Sequence, residues 1–130
     1  MKRSLLTFMT LAALSTSLYA YSQADRIKDM RTMAQALSDV QKGILYNNKK
    51  LVHEGVSHLK TASGNIQIAP KNVMDYSSVF AKEQAAKIVK YADRLDKSMK
   101  EGQKHAALTE YTSVLNQCVS CHNKIRKWNR

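Results

Sequence analysis

Three observations predict an all-α chain folded as an antiparallel four-helix bundle. Proline and glycine are scarce, with one proline (Pro70) and four glycines among 130 residues, and these residues punctuate strand-and-turn proteins. Four stretches repeat apolar residues at the three- and four-residue spacing of one helix face. The breaks between them are short, and short connections make neighbouring helices antiparallel.

The first helix is expected from about Ser22 to Leu45. Ile27, Met30, Ala34, Leu37 and Ile44 fall on one face, with Met33 and Val40 beside them. Ser22 and Asp25 have the spacing of a capping box. Asn47 and Asn48 then interrupt, as residues that tolerate turn conformations. A second helix is expected from about Lys49 to Ala62, striped by Val52, Val56 and Leu59. "SGNIQIAPKN", Ser63 to Asn72, reads as the one clear loop. The third helix is expected from about Met74 to Lys100, carrying Ala81, Ala85, Ile88, Ala92, Leu95 and Met99, and Gly102 breaks it. The fourth, from about Lys104 to Trp128, places Leu108, Tyr111, Leu115, Cys118, His122 and Ile125 on one seam.

The start of the chain reads differently. Lys2 and Arg3 precede an apolar stretch from Leu5 to Leu14, and Ala20 stands before a polar segment. That is the pattern of a secretory signal peptide over 1–20, cut after Ala20, leaving one domain over 21–130. The apolar run is short of the roughly 20 residues a membrane span needs, so no span is expected in the mature chain. Loss of Lys2 and Arg3 lowers the formal charge from +11 to +9. Export argues against nucleic acid as the partner of this basic surface and leaves an anionic membrane or an acidic protein.

The only two cysteines stand together in "CVSCH", Cys118 to His122. Cys-x-x-Cys-His is the attachment pattern for c-type haem. Residues three and four apart share a helix face, so two thiols can bind the two vinyl groups on one edge of a porphyrin, and His122 can serve as an axial ligand of the iron. A zinc site would need a fourth ligand, and His53, His58 and His105 lack tight ligand spacing. A thioredoxin-like dithiol would need a βαβ context, which is absent. The expected fold is therefore a four-helix bundle with covalently attached haem near the C-terminus, one haem c per chain.

A haem motif near the C-terminus of such a bundle, behind a signal peptide, resembles the cytochrome c′ family and its low-spin, cytochrome c-556-like branch. "CVSCHNKIR" resembles the family's motif followed by a basic residue, here Arg126. "RIKDM" resembles a first-helix pattern in which an arginine precedes the distal haem residue by four, giving Arg26 and Met30. The resemblance implies that a first-helix residue faces the iron opposite His122. Met30 is that candidate and Met33 its rival. Arg26 and Arg126 are candidates for propionate or pocket contacts, and Tyr111 for packing against the haem. Members of that family often pair through their first two helices, so the resemblance also allows a homodimer.

The function this implies is single-electron transfer by an exported, periplasmic monohaem cytochrome with His122 and Met30 as axial ligands. It is not an enzyme, and its partners are redox proteins of acidic character. A methionine that does not ligate would instead give a five-coordinate iron that binds nitric oxide or carbon monoxide. A peroxidase is disfavoured, because "RIKDMRTM" offers only Asp29 as a distal acid or base.

Overall fold

The computed structural model describes residues 21–68 and 78–126. The expected signal peptide, residues 69–77 with Pro70, Met74 and Tyr76, and Lys127, Trp128 and Arg130 lie outside the described residues. So do the side chains of Ile125 and Arg126. Four helices make up the fold: α1 (Gln23–Leu45), α2 (Lys49–Ile68), α3 (Ser78–Lys100) and α4 (Lys104–Arg126). Among the described residues there is no strand, and no helix is long and apolar enough to cross a membrane.

The ends of the helices follow from local chemistry. Ser22 and Asp25 form the expected capping box: the Asp25 amide donates to Ser22 Oγ at 3.2 Å, and the Ser22 amide donates to Asp25 Oδ2 at 2.8 Å. Such a cap is worth about 1 kcal/mol. Between α1 and α2, Asn47 takes a left-handed φ of 56°, which asparagine tolerates better than most residues. The side chain of Asn48 then accepts the amide of Leu51 at 3.0 Å and caps α2. Between α3 and α4, Gly102 at φ 77° makes the reversal.

Cross-helix contacts fix an antiparallel register. Asp29 and Met33 of α1 meet Asn65 and Ser63 of α2. Lys60 and His53 of α2 meet Asp93 and Asp96 of α3. Arg94 of α3 meets Glu110 of α4, and Lys124 lies over the Phe80 ring. The start of α1 therefore shares one end of the bundle with the end of α4. Val40, Val52, Leu59, Leu95, Met99 and Val114 fill the centre and are almost fully buried, each worth about 1.5–3 kcal/mol when removed from water. The pairs α1–α2, α2–α3 and α3–α4 pack along their lengths, whereas α1 and α4 touch at few points.

Three sequence expectations need correction. The stretch Ser63–Ile68 is helical, the last two turns of α2. Ser63 is buried and bonded to Met33, and Asn65 is bonded to Asp29, so contacts to α1 override the turn preference of Ser-Gly-Asn. On α1 the buried row is Asp29, Met33, Ala36, Val40, Gly43 and Ile44. Ile27 and Ala34, expected inside, are exposed. On α4 the buried positions are Ala107 and Val114, while Leu108 and Leu115 lie outward. On α4 the smaller residues take the close-packed positions and the leucines are displaced to a flank.

Candidate haem-binding seam

Residues on a helix turn by about 100° each, so cross-helix contacts show which flank faces which neighbour. On α4 the row Ala107, Tyr111, Val114, Cys118 faces the bundle. Glu110 and Lys124, on one side of that row, contact α3. Leu108, Leu115, Val119 and His122 lie on the other side, toward α1. On α1 the row Asp29, Met33, Ala36, Val40 faces α2 and the centre. Met30 and Leu37 lie about a quarter turn from it, on the flank turned toward α4, half-buried and packed on the edge of the core.

The seam between α1 and α4 is thus apolar and loosely closed. Exposure is 36% at Leu115, 49% at Leu108 and 52% at Val119. Apolar residues left in this way along one seam mark a surface suited to a partner or ligand. Met30, near the start of α1, and His122, near the end of α4, are both half-buried at the same end of the bundle.

The two expected axial candidates on α1 are not equivalent. Met33 is 6% exposed and its sulfur accepts a hydrogen bond from Ser63 Oγ at 3.4 Å. Its side chain is directed at α2. Among the described residues Met30 has no such tie, and it lies half-buried at the edge of the core. Arg26 is half-buried in the first turn of α1, at the same end.

Cys118 and Cys121 are free thiols, both half-buried. Burial, with a lesser contribution from Cys121, pushes the Cys118 thiol up to about 11, although a backbone hydrogen bond opposes this. Burial raises Cys121 as well. Tyr111 is raised by burial and by the neighbouring Cys118, so the phenol and the thiol share one environment. A redox Cys-x-x-Cys has a lowered thiol, commonly at a helix N-terminus. Here the pair lies in the C-terminal half of α4, and burial raises both thiols. Among the described residues, no group of three His, Cys, Asp or Glu side chains is placed to hold a metal ion, as a zinc site would need. A porphyrin brings four donors of its own and needs only axial ligands from the chain. The donor set of two half-buried thiols, an adjacent imidazole and a methionine across an apolar seam fits a c-type haem.

Sequence reasoning missed Asp29 as a core residue. It is 6% exposed, accepting from Tyr21 Oη at 2.7 Å and from Asn65 Nδ2 at 3.0 Å. Its spacing with Met33, Ala36 and Val40 was the available signal. No protein-family model matches the chain, and no curated protein or solved structure does.

Proposed function

We propose that the chain is an exported monohaem c-type cytochrome that carries single electrons. The observation that carries this reading is that Cys118, Cys121 and His122 stand together, half-buried, on one stretch of α4, at the end of the bundle where the start of α1 brings the half-buried Met30. Cys118 and Cys121 would hold the haem as thioethers, and His122 and Met30 would be its axial ligands. When bound, the haem supplies the one-electron chemistry of its iron.

The chain's own residues explain why transfer, not catalysis, fits the site. Leu115 and Val119, exposed in the chain alone, would be covered by the haem and would give it an apolar surround. A thioether sulfur and an imidazole both suit ferrous and ferric iron, so neither ligand need leave between states. Asp29 faces α2, bonded to Tyr21 and Asn65, and is not a free acid or base on the α4 side. Tyr111 packs beside Cys118. Export and periplasmic location rest on the leader pattern, and acidic redox partners on the positive charge that follows His122 in sequence. The oxidised and reduced absorption spectra test the reading: a low-spin spectrum with a sulfur-to-iron charge-transfer band supports it. A high-spin ferric spectrum would favour a gas-binding, five-coordinate iron instead.

A further inference from the structure

Asp29 is a costly residue to place where it is. A buried carboxyl group without partners is strongly unfavourable, yet Asp29 sits on the α2-facing row of α1, 6% exposed. Both of its oxygens are used. Tyr21, just ahead of α1, donates to Oδ2 at 2.7 Å, and Asn65 of α2 donates to Oδ1 at 3.0 Å. One turn further, Ser63 of α2 donates to the Met33 sulfur at 3.4 Å.

These contacts together fix how α1 is rotated about its own axis against α2. Asp29 immediately precedes Met30. Rotation by about 100°, one residue's worth, would carry Met30 off the flank turned to α4. The close contact of Ala36 and Val40 with Gly55 holds this angle further along α1, whereas at its start the α2-facing position is the polar Asp29. Hydrogen bonds are directional and specify it.

We propose that the Tyr21–Asp29–Asn65 network is a positioning device that selects Met30 over Met33 as the sulfur presented to the α1–α4 seam. This rests on the reading of Met30 as the axial ligand. Asp29 acts through α1 and does not touch the iron. The Ser63–Met33 contact is the complementary half of the device, holding the rival sulfur toward α2.

The test uses the haem-loaded protein carrying Asn65→Leu and, separately, the milder Tyr21→Phe. Each is read by the sulfur-to-iron charge-transfer band, the reduction potential and carbon monoxide binding to the ferrous form. Asn65→Leu is expected to weaken the band, lower the potential and raise carbon monoxide affinity by about fivefold, the order of the loss of one hydrogen bond. Tyr21→Phe should move the same readouts in the same direction by less, and Asn65→Gln should restore them in part. If the band and potential are unmoved in both variants while thermal stability falls, the network is structural only and the proposal is overturned. Absence of the band in the unaltered protein would overturn the Met30 reading itself, and the positioning role with it.

Discussion

Ser63 Oγ donates to the sulfur of Met33 at 3.4 Å, and that contact separates the two methionines of the first helix. Met33 is occupied with α2, whereas Met30, three residues earlier, lies half-buried at the edge of the core.

Met30→Ala should convert low-spin iron to high-spin and open the iron to carbon monoxide and nitric oxide. Met33→Ala should leave the spin state unchanged but cost about 2–5 kcal/mol of stability, as truncation of a buried side chain does. Visible spectra and denaturant unfolding of the two variants check both halves. The opposite pattern would assign the ligand to Met33.

The α1–α2 contact is tight enough to exclude one carbon. A Cβ on Gly55 would meet Val40 Cγ2 at 2.8 Å and the Ala36 carbonyl oxygen at 2.9 Å, and the second of these is backbone that cannot swing away. Gly55→Ala is therefore expected to destabilise the bundle by about 1–3 kcal/mol through overpacking. Gly64→Ala, which meets nothing within 4 Å, should be neutral or slightly stabilising. Thermal unfolding of the pair distinguishes a close-packed α1–α2 interface from a loose one.

In chain prepared without haem, Cys118 should titrate well above an ordinary thiol. Burial raises it from 9.0 to about 11, so the folded state holds the proton more tightly than the unfolded state. The resulting stability is fully present below the unfolded value near pH 9 and is lost as pH rises through about 11. Alkylation of Cys118 should accordingly be slow at neutral pH and keep accelerating past pH 9. A rate that levels off below pH 8 would instead indicate a thiol activated for exchange.

Lys124 is exposed and sits over the Phe80 ring, 4.3 Å from its centroid, two residues beyond His122. Positive charge at this end should steer an acidic redox partner, with a transfer rate that falls as ionic strength rises. Lys124→Glu together with Lys127→Glu should slow the reaction at low salt and flatten its salt dependence. Stopped-flow oxidation across a salt series measures both, and a rate indifferent to salt and to the charge reversals would remove the steering role.

Much of the fold was legible because its signals are local. The capping box of Ser22 and Asp25, the Asn47–Asn48 turn and the break at Gly102 all act within a few residues. The end of α2 was not legible, because Ser63 and Asn65 read as turn residues until their partners on α1 are known. Helix rotation was also hidden. Periodicity favours the largest apolar residues, so Leu108 and Leu115 were expected inside, whereas Ala107 and Val114 take the close-packed positions. The displaced large residues line the seam assigned here to haem. The cysteine pair and His122 were legible as a motif, while the asymmetry between Met30 and Met33 depends on Ser63, thirty residues away.

The central claim is that haem is bound covalently through Cys118 and Cys121. Haem staining of the chain exported into an oxidising, haem-attaching compartment, after denaturing electrophoresis, tests it most directly. A stained band is expected at the mass of the processed chain plus one haem, abolished when both cysteines are changed to serine. Haem that washes out of the denatured chain, or staining that survives loss of both cysteines, would contradict it.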